Sequence, residues 1–530
     1  MTPVVERVGL GIFLAALAVF TRVPAAAVVA DDAELSIVDL LHDPVAEHCD
    51  QQELNAIGDA ALRFEVAFGC GDELFEVRFN ALDGVGMNVG DEQRFTRVPR
   101  ADLDAANEWA RTIPARTTGP NGSACVTCHN EPFDDGAGLV NQNVIRDPLH
   151  TADPGRMIQR NTPQVFALGA LQRLAEEMTT GLQAVRRDVV ARACAASVGS
   201  RVRRDLAAKG VSFGAIAATR VSSGGESCPV PSRNRVRVDG SAVAGVGADL
   251  VVRPLQWKGA NTSLRDFNRG AAHNELGMQP VELTGDGVDG DFDGVVDEMT
   301  VGDMTALAVY LAAQPRPVTK LELNALGLLD PPLTALQVAD IRAGEALFAR
   351  VRCTDCHRAS LRVDDPVFRE PSRNASYRDA TFPAGQSALA EGVDPANPVA
   401  FDLTRDQPDN RLVVNGREVR LGAFERDGGG GAVVRLYGDL KRHEMGARLA
   451  ERIDETGGGA STWLTAELWG VGSTAPYLHD GRATTLTEAV IEHGGEAAAS
   501  RNAARALRPA EQAQLLAFLE NLVLFKIPEE

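Results

Sequence analysis

Cys125-Val126-Thr127-Cys128-His129 is a Cys-x-x-Cys-His sequence, and Cys353-Thr354-Asp355-Cys356-His357 is a second one. In each sequence two thiols can form thioethers and the histidine can ligate iron, which is typical of a c-type haem attachment site. A split zinc site is the alternative, but zinc sites hold their paired cysteines much closer together along the chain. The chain is therefore predicted to bind two haem c groups covalently.

The first thirty residues have the pattern of a secretory signal. Arg7 precedes an apolar run over 8–20, and small residues at 25–30 lead into Asp31. The apolar run is too short to span a bilayer, which favours cleavage after Ala30 over anchoring. No later stretch is long and apolar enough for a membrane span. The mature protein is predicted to be periplasmic or secreted, where haem can be attached through thioethers.

The formal net charge of −20 disfavours nucleic acid and acidic lipid as partners. It would attract a basic partner such as a small cytochrome, although solubility alone would also explain it. Four cysteines remain outside the two haem motifs, and in an oxidising compartment they can form two disulfides. Pairing of nearest neighbours, one of three possible connectivities, predicts Cys49–Cys70 and Cys194–Cys228.

A repeat surrounds the two haem motifs. The sequence Thr-Pro-Gln-Val-Phe-Ala-Leu-Gly at 162–169 reappears as Thr-Ala-Glu-Leu-Trp-Gly-Val-Gly at 465–472. Downstream, Trp257-Lys258-Gly259 parallels His479-Asp480-Gly481, and a leucine follows each glycine at the same spacing. Because the pieces occur in the same order after each motif, the repeat indicates duplication of a cytochrome-like unit.

The predicted fold is mainly α, with two cytochrome c-like haem domains in tandem, an insert and small β-hairpins. Amphipathic helices are expected at 341–351 and 509–525, packed on each other beside the second haem, and a hairpin at Asn415-Gly416. The insert should begin as a helix over 171–209 and end in strands over 236–253. The predicted domains are a signal (1–30), an N-terminal lead-in (31–110), a first haem domain (111–318, insert at about 170–255) and a second haem domain (319–530).

The chain resembles the bacterial diheme cytochrome c peroxidase superfamily, in particular its diheme oxidoreductase branch. The resemblance covers most of the chain after residue 70. Its most specific segments are Arg-Asn-Thr-Pro at 160–163, Lys-Arg-His-Glu-Met-Gly at 441–446, and Thr-Ala-Pro-Tyr-Leu-His-Asp-Gly-Arg at 474–482. It implies a peroxide-reacting N-terminal haem, an electron-storing C-terminal haem and a tryptophan between them. Hydrogen peroxide, a small donor protein (cytochrome c or cupredoxin) and a homodimer are the implied partners.

The resemblance supplies three catalytic candidates. Trp257 matches the tryptophan of the family's Phe-Trp-Asp-Gly-Arg segment, where an indole can carry a transient hole; an ordinary core tryptophan is the alternative. Glu275 matches the family's glutamate, where a carboxylate of raised pKa moves a proton between peroxide oxygens; a solvated helix carboxylate is the alternative. His150 matches the family's distal histidine, with a surface loop histidine as the alternative.

The axial ligands of the two haem irons are expected to differ. His129 should ligate the first iron, and His357 the second, with Met445 of the 441–446 segment as its sixth ligand. A thioether ligand raises the reduction potential, which suits electron storage. His443 is the alternative ligand, and His479, at the repeat position of Trp257, is expected to hold the haem propionates or the turn.

An acidic segment departs from the family pattern. Its alternating aspartates have the spacing with which a calcium loop begins, but Thr300 stands where that loop carries glutamate. Aspartates so close together repel one another without a cation, so calcium is favoured over a solvated acidic turn. The predicted calcium ligands are Asp289, Asp291, Asp293 and Asp297.

Two other functions stay open at this level. A diheme electron carrier without peroxide chemistry would have two six-coordinate haems and no use for Glu275. An oxidase of a side chain on a partner protein would need a tyrosine or a similar ligand at the second haem, for which Tyr437 and Tyr477 are the candidates.

Overall fold

The computed structural model describes residues 43–87, 111–117, 120–130, 143–151, 153–222, 235–378, 382–383, 385–408 and 411–525. The predicted signal at 1–30 and Cys228 lie outside these ranges, as does most of the predicted lead-in beyond residue 87. None of the helices within them has both the length and the apolar character that crossing a bilayer requires.

Helices hold more of the described chain than strands do, in agreement with the mainly α prediction. A single π-helical turn (Ala272–Leu276) directly follows the α-helix that ends at Ala271. The α-helices are α1 (Gln51–Ala56), α2 (Ala60–Glu76), α3 (Leu168–Ala195), α4 (Leu264–Ala271), α5 (Val281–Thr284), α6 (Val301–Ala313), α7 (Lys320–Leu326), α8 (Ala335–Arg350), α9 (Leu486–Glu492), α10 (Ala498–Arg505) and α11 (Pro509–Leu519).

The strands form small sheets of two or three members, and every pair within the described ranges is antiparallel. They are β1 (Val144–Arg146), β2 (Ile158–Arg160), β3 (Arg201–Ala208), β4 (Val211–Arg220), β5 (Val236–Asp239), β6 (Val318–Thr319), β7 (Leu361–Val363), β8 (Val367–Glu370), β9 (Val399–Asp402), β10 (Arg411–Val414), β11 (Arg417–Arg420), β12 (Glu425–Arg426), β13 (Ala432–Val434), β14 (Arg442–Glu444), β15 (Thr462–Leu464) and β16 (Leu522–Val523).

The predicted packing of two helices beside the second haem motif is confirmed. Helix α8 crosses α11 at Gly344, where a Cβ atom would overlap the carbonyl oxygen of Gln514. One turn later along α8, the ring of Phe348 packs 5.3 Å from that of Phe518. The close crossing therefore depends on a residue without a side chain, and α11 ends at Leu519, earlier than the predicted 525.

The same crossing recurs before the first haem motif. Helix α2 crosses the fully buried α6 at Gly71, where a Cβ atom would overlap the carbonyl oxygen of Ala306. One turn later, Phe75 packs 5.3 Å from Tyr310 of α6. The two helices thus share a Gly-acidic-x-Leu-Phe sequence, which extends the repeat to a helix inside the predicted lead-in. The division into two tandem cytochrome c-like domains stays a prediction.

The insert contains more strand than predicted. Helix α3 ends at Ala195, so the helix predicted over 171–209 is too long, and 201–208 forms strand β3. A two-residue turn at Lys209-Gly210, with φ of 48° and 77°, joins β3 to β4. Strand β3 lies at the sheet edge and buries only Leu206, so its charged residues conceal the two-residue period of a strand.

Two other local predictions are confirmed. Asn415 and Gly416, with φ of 52° and 75°, form the two-residue turn between β10 and β11. Cys49 and Cys70 form a disulfide that joins the start of α1 to α2. The second predicted pair, Cys194–Cys228, involves a residue outside the described ranges.

Candidate haem sites

The second Cys-x-x-Cys-His motif forms one turn of 3₁₀-helix (Cys353–Asp355), closed by a 2.9 Å bond from the His357 N–H to the Cys353 carbonyl. Nδ1 of His357 donates to the carbonyl of Tyr437 at 3.1 Å. This bond fixes the ring and leaves Nε2 for a metal. Burial lowers the pKa of His357 to about 4, so the imidazole is neutral, as a ligand must be.

A cavity of about 300 Å³ adjoins this turn. The thiols of Cys353 and Cys356, neither of which is in a disulfide, lie on its wall together with His357. An apolar cavity with two thiols and a free imidazole nitrogen is the donor set of a c-type haem, so these residues fit the group. The cavity is also lined by Met445, Glu467, Trp463, Tyr477, His479 and His493.

His443, the alternative sixth ligand, has both ring nitrogens engaged. Its Nε2 lies 3.0 Å from Asp439 and its Nδ1 lies 2.7 Å from Glu496. Burial opposes protonation, but the hydrogen bond to Asp439 raises the pKa of His443 to about 10. His443 is thus held as an imidazolium and has no lone pair for iron. Its neighbour Met445 lines the cavity and is half-buried.

His493 lines the same cavity as His357, with ring centroids 6.4 Å apart and an angle of 55° between the rings. It follows the last residue of α9, and its Nδ1 donates to the Ala489 carbonyl at 2.7 Å. His493 was not predicted as a ligand from the sequence. The available signal was a histidine at a helix end followed by Gly494-Gly495, a pair that lets the chain turn sharply.

His479 and Trp463 form a stacked pair on the cavity wall, with ring centroids 3.8 Å apart and 19° between the planes. Nζ of Lys258 lies 3.6 Å from the centre of the Trp463 ring, and the guanidinium of Arg160 lies 5.5 Å from it. Two cations close to one indole make the removal of an electron from that indole unfavourable. The two cations therefore make Trp463 less suited than Trp257 to the electron-transfer role predicted for Trp257.

Trp257 lines the second-haem cavity and donates from Nε1 to the carbonyl of Asn161 at 2.8 Å. Asn161 begins the segment 161–163, whose far end, Pro163, lies close enough to His129 to affect its ionisation. Trp257 therefore lines the cavity beside the second motif. It is also hydrogen-bonded to the backbone of 161–163, the segment near the histidine of the first motif.

The first Cys-x-x-Cys-His motif repeats the local geometry of the second. Cys125–Thr127 form one 3₁₀ turn, and the His129 N–H donates to the Cys125 carbonyl at 3.1 Å. The ring of Phe75 lies 6.0 Å from that of His129, as Phe348 lies 6.3 Å from His357. Burial lowers the pKa of His129 to about 4, so this histidine is also neutral.

Glu275 lies in the π-helical turn beside the first motif. Its Oε2 accepts from Nδ2 of Asn121 at 2.7 Å, and its carbonyl accepts from the N–H groups of Asn121 and Gly122. Burial raises the pKa of Glu275, and Arg146 only partly opposes this. Burial and, to a lesser extent, the Glu275 charge raise the pKa of Cys128.

Residues 430–522 match the family model described as "Di-haem oxidoreductase, putative peroxidase". This match confirms the family resemblance predicted from the sequence. A crystal structure of a MauG-like protein associated with microbial copper homeostasis is similar over 68% of this chain and 88% of its own, with 17% identity and a TM-score of 0.24. No curated protein matches the chain. The di-haem oxidoreductase match supports a redox function that uses two haems.

His150, the third catalytic candidate, does not lie free beside the first motif. Its Nε2 donates to the carbonyl of Arg116, and its backbone has a φ of 51°. Arg116 is fully buried and pairs with Asp291. In this conformation Nε2 of His150 is therefore occupied and cannot ligate iron.

The two tyrosines named for the side-chain oxidase are positioned differently. The Tyr437 hydroxyl bonds to Glu345 at 3.2 Å, and its ring packs on Phe348 and Phe518. Its hydroxyl is therefore already paired. Tyr477 lines the same cavity as His357, and burial raises the pKa of its hydroxyl.

The acidic segment brings three of its four predicted calcium ligands together. Carboxylate oxygens of Asp289, Asp291 and Asp293 lie within 4.8 Å of one another, whereas Asp297 is not in this group and accepts from the Gly287 N–H at 2.7 Å. Asp291 is fully buried with Oδ1 unpartnered, and burial raises its pKa to about 7. The cluster suits a cation, although the Arg116 ion pair already balances part of its charge.

Proposed function

We propose that the chain is an exported diheme c-type oxidoreductase that reduces hydrogen peroxide with electrons from a small redox protein. The observation that carries the proposal is Glu275, a half-buried carboxylate with a raised pKa, held by Asn121 and Gly122 just before the first haem motif. Perturbed carboxylates in buried sites are candidates for proton transfer. The match of 430–522 to di-haem oxidoreductases supports the redox part of the proposal.

The first motif is the proposed peroxide site. Cys125 and Cys128 would hold the haem through thioethers, and neutral His129 would bind one face of its iron. When bound, this haem supplies a centre at which peroxide oxygen can be reduced. The overall reaction consumes one peroxide, two electrons and two protons and releases two waters.

Glu275 would carry the proton between the two peroxide oxygens. One carboxylate oxygen, Oε2, is held by Asn121, and no hydrogen bond from the described residues engages Oε1. Oε1 would be available to take a proton from one peroxide oxygen and return it to the other. A carboxyl whose pKa is raised towards the working pH does both steps well.

Trp257 is the proposed route for electrons between the two sites. Its indole N–H donates to the Asn161 carbonyl, and an acceptor at that position stabilises positive charge on the ring. Trp463 lies close to Lys258 and Arg160, so it would be the harder indole to oxidise. The difference favours Trp257 as the relay.

Calcium at the aspartate cluster is part of the proposal. Asp289, Asp291 and Asp293 offer converging hard oxygen ligands, and Oδ1 of the buried Asp291 has no hydrogen-bond partner among the described residues, although its Oδ2 pairs with Arg116. Because Arg116 links Asp291 to the carbonyl of Gly277, next to the turn of Glu275, a bound cation would stiffen the first site. Asp297 is not needed for this arrangement.

The test is peroxide-dependent oxidation of a reduced small cytochrome by the purified diheme protein. Glu275→Gln keeps the shape and the Asn121 hydrogen bond but cannot accept a proton, so turnover should fall by about 10²–10⁴-fold. Glu418→Gln, at an exposed position of the β11 hairpin, is the matched control and should keep full activity. Unchanged turnover in Glu275→Gln with intact haem content would remove Glu275 from the mechanism, and no donor oxidation by the wild type would reject the peroxidase.

A further inference from the structure

We propose that His493 is the sixth ligand of the haem attached at Cys353 and Cys356, opposite His357, so that this haem has two histidine ligands. The inference rests on the haem-attachment part of the proposed function and not on peroxide chemistry. It assigns an iron ligand outside the 441–446 segment, from which Met445 was predicted.

The distance between the two rings is the first observation. Their centroids are 6.4 Å apart. Metal–imidazole bonds are about 2.0–2.1 Å long and the ring centre lies about 1.2 Å beyond the nitrogen, so two imidazoles on opposite sides of one metal have centroids roughly 6.4 Å apart. The observed separation is the one that a single iron would bridge.

The free nitrogen of each ring is the second observation. Nδ1 of His357 donates to the Tyr437 carbonyl, and Nδ1 of His493 donates to the Ala489 carbonyl. In both rings the Nδ1–H bond leaves the lone pair on Nε2, and no hydrogen bond from the described residues reaches either Nε2. A metal-binding histidine usually donates its other ring N–H to a carbonyl or carboxylate in this way, which fixes the orientation of the ring.

The backbone around His493 explains why the ring is held there. The Ala489 carbonyl is one of those that the end of α9 leaves without a helical partner, and Nδ1 satisfies it. The next residues, Gly494 and Gly495, pack against the backbone of 444–446 so closely that a Cβ on Gly495 would overlap the Glu444 carbonyl. His493 is therefore anchored from both sides.

The other candidates are weaker on geometry. Both nitrogens of His443 are bonded to carboxylates, and the Tyr437 hydroxyl is bonded to Glu345. The group formed by Cys356, Asp439 and His443 could also hold a metal, but it would use the sulfur that the haem thioether needs. Met445 lines the cavity and is the competing ligand that an experiment must distinguish.

Ligation by two histidines has consequences for function. A second imidazole gives a lower reduction potential than a thioether would, and it closes the iron to small ligands. The second haem would then be a closed centre with a lower potential than the one expected from Met445.

The experiment uses the full diheme protein and starts with the wild type. Mass spectrometry of denatured protein checks for two covalent haems; their absence would reject the proposed function itself. The electron paramagnetic resonance spectrum of the oxidised protein should then contain a low-spin bis-imidazole signal, and the far-red sulfur-to-iron absorption band should be missing. A far-red band in the wild type that Met445→Leu abolishes would overturn the inference.

Two variants complete the test. His493→Met should raise the reduction potential of the second haem and produce the far-red band, or leave this iron high-spin. Met445→Leu should keep the wild-type potential and spectrum. A His493→Met protein with two haems and an unchanged spectrum would also overturn the inference. If His493→Met does not fold, the wild-type spectrum and Met445→Leu decide between the two ligands.

Discussion

The two haem motifs have the same supporting helices and turns, which we call the shared frame, but different residues lie next to their histidines. Each has a 3₁₀ turn, a neutral histidine and a phenylalanine ring about 6 Å from that histidine, on a helix that crosses a second helix at a glycine. Beside the first motif lies a half-buried carboxylate, Glu275, and beside the histidine of the second lies an imidazole, His493. A carboxylate can move protons, whereas an imidazole closes the iron. In the proposed function, the difference between a reaction site and an electron store therefore comes from these neighbouring residues and not from the shared helices and turns.

The crossing glycines test the shared frame, with the largest expected effect on stability. Gly71→Ala and Gly344→Ala each force a methyl group onto a helix backbone and should destabilise the protein by about 1–3 kcal/mol. Each should disturb the spectrum of its own haem first. Gly69→Ala, in the same helix as Gly71 but with open space around it, should instead stabilise by about 0.5–1 kcal/mol. Denaturant unfolding measures all three, and equal effects of Gly69→Ala and Gly71→Ala would contradict the close crossing.

Trp257→Phe tests whether the two regions are connected as proposed. Turnover should fall by roughly tenfold, about 1.4 kcal/mol on the barrier, because phenylalanine is harder to oxidise. Trp463→Phe is the matched control, since its cationic neighbours already disfavour a hole there, and it should have a smaller effect. Rapid-mixing measurements of electron transfer between the haems give the comparison. A larger loss in Trp463→Phe would reverse the assignment of the relay.

The pH profile of turnover tests the carboxylate of the first region. Burial raises the pKa of Glu275, so its proton-accepting form is lost at a higher pH than for an ordinary glutamate, about 4.3. Activity should therefore fall on acidification, with a midpoint above that value. The residual activity of Glu275→Gln should lack this acid limb, and an identical limb in the variant would assign it to another group.

Calcium should stabilise the first region by a smaller amount. At about five times the dissociation constant, added calcium should increase the unfolding free energy by about 1 kcal/mol and raise Tm by a few degrees. Asp289→Asn keeps the oxygen that accepts from the Phe292 and Asp293 N–H groups but removes a charge, so the shift should shrink. If added calcium does not change the Tm of the metal-free wild type, the calcium site is rejected and the cluster is a solvated acidic turn.

Local patterns were predictable because their causes are local. The Cys-x-x-Cys-His motifs, the Asn415-Gly416 turn and the existence of helices within 341–351 and 509–525, though not their ends, follow from spacing and turn chemistry. The end of α3 could not be predicted, because the charged edge strand β3 buries only one residue and resembles a helix in composition.

Features that depend on contacts between distant parts of the chain could not be predicted from the sequence. The α2 helix with Gly71 and Phe75 lies about fifty residues before its haem motif, whereas Gly344 and Phe348 lie directly before theirs. Only the packing of Phe75 on His129 reveals that the two helices correspond. His493 was missed for a similar reason, since a histidine before two glycines resembles an exposed turn until its position opposite His357 is known.

Cyanide titration of the oxidised and half-reduced protein tests the central claim, that the first haem is open to ligands and the second is closed. The account predicts one bound cyanide per protein, at the haem of Cys125 and Cys128, and a second equivalent once His493→Ala opens the other iron. Two equivalents in the wild type, none in any redox state, or no additional equivalent in His493→Ala would contradict it.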